Sequence, residues 1–304
     1  MENAIVTENL TKKFGKLTAV DHISLNVKKG EIYGFLGLNG AGKTTTIRML
    51  LGMISPSKGD AYILSKKVKS SANDLWEKVG YLVEIPYSYG ELTVYENLEI
   101  YRKYHLKNDN QSTLRLLEKF KLKEYKNVKA KNLSSGNNQR LGIAKAMIHD
   151  PEILILDEPV NGLDPAGIVE IRQLLLDLSK NQGKTIFISS HILSEISKLA
   201  DRIGIIHNGK LIKELDEDSL ENERKKILKF STIDNEKAIF LLNERGINAK
   251  LDNENICIIE DKNYVDNPEK ISLLFCNKNL PLKILISEIE DLEKYFLRII
   301  GFNK

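Results

Sequence analysis

An apolar run, Ile32-Tyr33-Gly34-Phe35-Leu36, feeds into Gly37-Leu38-Asn39-Gly40-Ala41-Gly42-Lys43-Thr44, and that loop opens into Thr45-Thr46-Ile47-Arg48-Met49-Leu50-Leu51. No other stretch of the chain limits its fold as tightly. The apolar run predicts a buried strand and the segment after the loop a helix. Glycines let the intervening backbone wrap, so that successive N–H groups point at one place. The helix N-terminus adds partial positive charge there. A phosphate chain is the ligand that matches. Lys43 reaches its β- and γ-phosphates, and the Thr44 hydroxyl takes one position on Mg²⁺. Residues Gly37 to Thr45 are thus the expected cradle of a nucleoside triphosphate. A glycine-rich turn with an accidental Lys-Thr is the plain alternative, and the flanking strand and helix argue against it.

With 304 residues the chain can bury a large core, enough for one large domain and a small one. A net charge of +3 is too small to argue for nucleic acid or an anionic membrane. The only two cysteines, Cys257 and Cys276, stand in apolar surroundings without metal-ligand spacing, and both read as core packing in a reducing compartment. No apolar run approaches the ~18–20 residues a membrane span needs, and the first residues lack a signal-peptide pattern. A cytoplasmic chain is expected, with any membrane role exerted through a partner.

Ile23, Leu25 and Val27 alternate with Ser24, Asn26 and Lys28, which with Ala4-Ile5-Val6 predicts a small antiparallel sheet. Ala61 to Leu64 and Val79 to Val83 read as further strands. Residues 93 to 149 are mostly helical in pattern, and Thr93-x-x-Glu96 is a capping box. Strand and helix then alternate: Ile153 to Leu156, Ala166 to Lys180, Thr185 to Ser189, Ile192 to Leu199, Ile203 to Ile206. That alternation predicts an α/β fold with a doubly wound, mostly parallel sheet. Asp216-Glu217-Asp218 and Glu221 to Lys226 form a charged run that reads as a linker. Beyond it, strands at Ile227 to Phe230, Ile256 to Ile259 and Lys283 to Ile286 alternate with helices at Lys237 to Glu244 and Glu269 to Phe275. A final helix carries Ile289, Leu292, Phe296 and Ile299 at helical spacing, a core stripe rather than a functional one. The tail is expected to be a small α+β domain.

Ile153-Leu154-Ile155-Leu156-Asp157-Glu158-Pro159 is an apolar strand ending in two carboxylates. A buried strand would deliver them rigidly beside the phosphate loop. Asp157 would hold Mg²⁺ through water, and Glu158 would polarise a water for in-line attack on the γ-phosphate. His191 follows the strand at Thr185 to Ser189, where ligands of parallel sheets bind, and could donate a hydrogen bond to the γ-phosphate. His22, His105, His149 and His207 read as structural. Leu133-Ser134-Ser135-Gly136-Asn137-Asn138-Gln139 opens another helix, a second anion site or a simple serine cap. One chain needs one triphosphate cradle, so a second phosphate-binding helix start suggests that two chains complete each other's sites.

The phosphate loop, Leu133 to Gly136, Asp157-Glu158, Gly162-Leu163-Asp164 and Ser190-His191 together resemble the ATP-binding subunit of an ABC transporter, in the family's order and over residues 1 to 215. Within that family, Tyr33 to Leu36, Ser189 to Ile196 and Gly204 to His207 resemble the single-cassette subunits of bacitracin-resistance and lantibiotic-immunity exporters. The resemblance implies a P-loop NTPase cassette with an antiparallel β subdomain and a helical subdomain over 1–215, and an accessory domain over 216–304. It implies ATP and Mg²⁺, the latter held by Thr44, Asp157 and Glu84. It also implies a dimer of cassettes, either two copies or a related partner, that sandwiches two ATP molecules. Lys43, Thr44, Asp157, Glu158 and His191 of one chain would face Ser134 and Gly136 of the other, with Asp164 across the seam. Phe14 stands where the family stacks an aromatic on adenine.

Two departures carry weight. Glu84 stands where the superfamily usually has Gln, as the peptide-immunity subgroup does, placing an extra carboxylate near Mg²⁺ and the attacking water. Ser135 replaces a glycine, and its Cβ and hydroxyl would weaken backbone approach to the partner's γ-phosphate and slow turnover. The resemblance implies ATP hydrolysis that powers a membrane-spanning permease at the cytoplasmic face, with export of a peptide antibiotic or drug favoured. Another exporter, an importer or a soluble non-transport ATPase are the alternatives. Translation factors of this type carry two cassettes, and chromosome-maintenance ATPases split theirs with a long heptad segment absent between Lys43 and Ser134. Nucleotide kinases and GTPases lack the Ser134–Gly136 element, and Glu158 disfavours a non-catalytic binding module. Tyr87 and Tyr89, with Pro86 in the Glu84 to Glu91 segment, are candidate contacts for the permease.

Overall fold

The β-period of residues 3–28 folds as a hairpin, β1 (Asn3–Phe14) with β2 (Leu17–Lys28), in which Thr7 pairs with Leu25 and Leu10 with Ile23. A computed structural model of the chain describes residues 2–84, 86–105, 109, 111–252 and 255–301. After the hairpin come β3 (Ile32–Leu36), α1 (Lys43–Leu50), β4 (Lys58–Ile63), β5 (Lys66–Lys67), α2 (Asn73–Trp76) and β6 (Val79–Leu82). A helical stretch follows with α3 (Val94–Tyr104), α4 (Ser112–Lys119) and α5 (Ser135–Met147). The chain then alternates through β7 (Ile153–Asp157), α6 (Pro165–Lys180), β8 (Thr185–Ser190), α7 (Leu193–Ile196), β9 (Arg202–His207) and β10 (Lys210–Asp216).

Two sheets result. The antiparallel one has the order β2-β1-β4-β5, and the other the order β10-β9-β3-β8-β7-β6 with only β10 running against its neighbour. Ile5, Ile23 and Ile63 from the first sheet, Ile47 and Leu50 from α1, and Phe35, Ile155 and Phe187 from the second share one continuous core. The predicted capping box is formed at α3: Thr93 Oγ1 accepts from Glu96 N, and Glu96 Oε2 accepts from Thr93 N at 2.7 Å. Among the described residues no helix is long and apolar enough to cross a membrane.

The chain divides into two units, residues 1–217 and 218–304. Asp216 to Lys226, expected to be a linker, is mostly regular structure, and the boundary between the two units falls within it. Asp216 ends β10, and Glu217–Glu223 form helix α8, in which Leu220 is buried. Asp216 in β10 and Asp218 and Glu221 in α8 take exposed positions of these elements. The second unit builds a sheet in the order β12-β13-β11-β14 from β11 (Lys226–Thr232), β12 (Ala249–Leu251), β13 (Cys257–Ile259) and β14 (Leu282–Ile289). Helices α9 (Asn235–Asn243), α10 (Lys262–Val265), α11 (Glu269–Cys276) and α12 (Leu292–Ile299) complete it. Phe230, Leu242, Ile259 and Phe275 lie in its core. Ile289 belongs to β14 and is exposed; α12 starts later, capped by Asp291, and buries Tyr295 and Phe296.

Only one cysteine is core. Cys257 is buried on β13, whereas Cys276 at the end of α11 is exposed, because Ile271 and Phe275 take the inward face of that helix. Burial pushes the Cys257 thiol up to about 11. A thiol reagent at pH 8 is therefore expected to modify one cysteine per native chain rapidly and both in denaturant. Two equally fast thiols in the native protein would contradict this burial.

Candidate functional site

Three strand ends meet where the phosphate loop begins. β3 lies beside β8, and Gly37 N donates to Ser190 O at 3.1 Å, tying the loop to the end of β8. The loop then turns through two left-handed glycines, Gly40 at φ 79° and Gly42 at φ 109°. A Cβ on Gly42 would come within 2.6 Å of Ala19 O, so both conformation and space demand glycine there. Gly42 delivers the chain into α1, whose first residue is Lys43.

Lys43 folds back over its own loop. Its Nζ donates to Gly37 O at 2.7 Å and Leu38 O at 3.2 Å, and lies 3.1 Å from Glu158 Oε1. The next residue, Thr44, donates from Oγ1 to Asp157 Oδ2 at 2.7 Å. The carboxylate pair comes from the end of β7: Asp157 is buried, and Glu158 adopts φ 50°, a left-handed turn that swings its side chain off the strand direction. Such a conformation is uncommon for a residue with a side chain and belongs to sites that need a side chain aimed.

Parallel pairing of β7 with β8 places Asp157 opposite Ser189. Ser189 Oγ donates to Asp157 Oδ1 at 2.5 Å and accepts from Glu158 N at 3.0 Å, so one buried hydroxyl orients both acids. His191 Nδ1 meets Glu158 Oε2 at 2.7 Å. With a carboxylate as partner, the ring proton is assigned to Nδ1. Glu158 Oε1 is buried and accepts no hydrogen bond, although Lys43 Nζ is close enough for an ion pair.

Lys43, Thr44, Asp157, Glu158 and His191 therefore form one contiguous constellation. A cleft of ≈ 380 Å³ opens on it, walled in part by Thr44, Glu84, Ser135, Gln139, Asp157 and Glu158. Glu84 sits at φ 61° with its carboxylate in an ion pair with Arg48 of α1. The other expected residues lie elsewhere. Ser134 caps α5, accepting from Asn137 N at 3.3 Å, and Asp164 caps α6, accepting from Gly167 N at 2.9 Å. A Cβ on Gly136 would meet nothing within 4 Å, so no packing inside this chain requires a glycine there. Phe14 is 50 % exposed, with Lys12 Nζ 5.2 Å from its ring centre. Sequence reasoning missed Ser189 and Arg48 as orienting residues; the β7–β8 register is the signal that finds Ser189.

The donor set suits a hard cation. A threonine hydroxyl and an aspartate oxygen 2.7 Å apart are the hydroxyl–carboxylate pair that Mg²⁺ takes alongside phosphate oxygens. Among the described residues no group of three or more His, Cys, Asp or Glu could cage a metal. Magnesium does not need one when phosphates supply the remaining oxygens.

Comparison with known proteins agrees with this geometry. The ABC transporter family model matches residues 20–161. A bacitracin transport ATP-binding protein of Bacillus licheniformis is 43 % identical over 305 residues, covering 99 % of this chain and 98 % of that one. A lantibiotic transport ATP-binding protein of Streptococcus pyogenes is 42 % identical over 215 residues, 71 % of this chain and 92 % of that one. Among solved structures, a dimeric ATP-binding cassette in a post-hydrolysis state with ADP and Pi aligns with a TM-score of 0.64 and 27 % identity, over 70 % of this chain and 98 % of that one. The resemblance seen in the motifs, the α/β cassette fold and the ATPase assignment all stand. The chain belongs to the ATP-binding subunits of ABC transporters, the nucleotide-hydrolysing members of that family.

Proposed function

We propose that two cassettes of residues 1–215, two copies of this chain or one copy with a related subunit, close around two ATP molecules and drive export of a peptide antibiotic through a membrane permease. Residues 216–304 are accessory in this reading. The observation that carries it is the near full-length similarity to a bacitracin transport ATP-binding protein, joined to the grouping of Lys43, Glu158 and His191 beside the phosphate loop. The subunit would sit at the cytoplasmic face of the membrane, held by the permease.

In this reading Lys43 leaves the Gly37 and Leu38 carbonyls for the β- and γ-phosphates. Phe14 stacks on adenine. Thr44 and Asp157, with Glu84 near, would hold Mg²⁺, which neutralises phosphate charge when bound. Glu158 takes the proton of the attacking water. Through Nδ1, Glu158 Oε2 holds the His191 ring so that its Nε2 edge would face the γ-phosphate. Ser134 and Gly136 serve the partner's nucleotide. The open space where a Gly136 side chain would stand supports close approach of a second molecule, and Asp164 would lie at the same seam.

The permease would contact a groove of ≈ 640 Å³ whose walls include Arg48, Trp76, Tyr81, Glu84 and Tyr87. Tyr87 is 70 % exposed and meets Tyr89 edge-on, an aromatic pair open to a partner. Glu84→Gln tests the link between groove and site. It removes the charge facing Arg48, and we expect ATP affinity within about threefold of wild type but impaired stimulation of hydrolysis by the permease. A collapse of affinity would make Glu84 a ligand of the bound nucleotide instead. Export itself is tested in inside-out vesicles bearing chain and permease: ATP-dependent uptake of bacitracin supports the reading, and ATP hydrolysis without it refutes peptide export.

A further inference from the structure

Helix α5 buries a lysine with no acid to meet it. Lys145 is 4 % exposed and, among the described residues, forms no ion pair. Its ammonium donates instead to Tyr87 O and to Ser88 Oγ, the latter at 2.9 Å, and lies 5.1 Å from the centre of the Tyr101 ring. Burial without a counter-charge pulls it down to about 8. A cation held this way costs folding free energy, and an apolar side chain of the same length would serve packing better. Its contacts therefore point to a role other than stability.

What it holds is the segment after β6. Asn138, Gly142 and Lys145 share one face of α5 by their i, i+4, i+7 spacing. Asn138 Nδ2 donates to Pro86 O and Asn138 Oδ1 accepts from Ser88 Oγ, both at 3.4 Å. At Gly142 the loop comes so close that a Cβ would lie 2.7 Å from Pro86 Cβ and 3.0 Å from Leu82 Cδ1. The segment is thus strapped along one helix face, with Lys145 making the strongest tie because its hydrogen bonds are charge-assisted. Two residues before Pro86, Glu84 is anchored to α1 through Arg48. The strap therefore joins the phosphate-loop helix to α5, the helix capped by Ser134.

We propose that Lys145 is a positioning residue that binds the Pro86–Ser88 strap to α5, so that α1, α5 and the exposed Tyr87 surface move together during the ATP cycle. The inference rests on the transporter reading for what that movement does, but the tie itself is a property of the chain.

Three full-length variants test it: Lys145→Met, which keeps length and loses the donors; Lys145→Arg, which keeps them; and Gly142→Ala, which pushes the strap away without touching the lysine. Trp76 is the only tryptophan and lines the same groove as Tyr87, so acrylamide quenching of its emission reports on the strap. For Lys145→Met we expect a thermal midpoint equal to or above wild type, ATP affinity within about twofold, turnover lowered about tenfold and stronger quenching. Arg should restore turnover to within about threefold, and Gly142→Ala should reproduce the stronger quenching. Unchanged quenching and turnover in Lys145→Met would overturn the proposal. So would a lowered midpoint with normal turnover, which marks a merely structural lysine. The quenching needs no nucleotide, so it decides the tie even if the wild-type chain hydrolysed no ATP, the result that would instead strike the functional reading.

Discussion

Exchanging Glu158 for glutamine is expected to lower ATP turnover about a thousandfold while ATP still binds. Glutamine matches the side chain in volume and can occupy the same turn at φ 50°, so the loop geometry survives. What disappears is the proposed proton acceptor. Oε1 is the buried oxygen that accepts no hydrogen bond, and Oε2 faces His191 Nδ1 at 2.7 Å. An amide there cannot take the proton of an attacking water, and Asp157 is already engaged by both Thr44 and Ser189. Binding should hold or tighten, because Lys43 no longer shares its charge with a carboxylate 3.1 Å away. Phosphate release measures the first effect and titration with a fluorescent ATP analogue the second. Chromatography with excess ATP adds a third reading, because a stalled variant should accumulate as the closed dimer. Turnover within about threefold of wild type would remove Glu158 from the role of general base.

What the sequence reveals of this site is what local chemistry can announce. A glycine-rich turn between an apolar strand and a helix, and two acids closing an apolar strand, are short-range patterns, and each lies where the pattern puts it. Contacts between strand ends are a different matter. Ser189 reads as the last residue of an ordinary β run, and only the parallel register opposite Asp157 gives it a task. Arg48 reads as one more helix cation until the left-handed turn at Glu84 brings the carboxylate to it. Lys145 is the sharpest case. In Ile143-Ala144-Lys145-Ala146-Met147 a lysine suggests a solvent-facing position, yet the strap folds over it and buries it.

The same limit governs the accessory region. The charged run at 216–226 hides regular structure because the outward positions of β10 and α8 carry the charges, while Leu215 and Leu220 supply the buried ones. Two apolar residues among many charges are too few for a periodicity to emerge. Ile289 sits in phase with the last helix by spacing alone, whereas Asp291 caps that helix and fixes its start at Leu292, three residues later. Cys276 is apolar in its neighbours but not in its direction, since a helix has faces and a sequence window does not.

Lys43→Ala should produce the other large effect, in two separable parts. The first is loss of nucleotide: the side chain proposed to meet the phosphates is gone, and affinity for ATP should fall at least about a hundredfold. The second is a loss of stability that has nothing to do with ATP. Lys43 and Glu158 are the ion pair of the site's interior, 6 % and 17 % exposed, and the ammonium also closes the loop through Gly37 O and Leu38 O. Removing one partner of such a pair leaves a charge behind and costs on the order of 3 kcal/mol. Combining Lys43→Ala with Glu158→Gln removes the stranded charge, so the double variant should regain most of that stability and none of the affinity. Urea unfolding without nucleotide measures the coupling directly. Additive losses in the double variant would mean that the two side chains do not sense each other, and the constellation would have to be redrawn with Lys43 bound to the loop carbonyls alone.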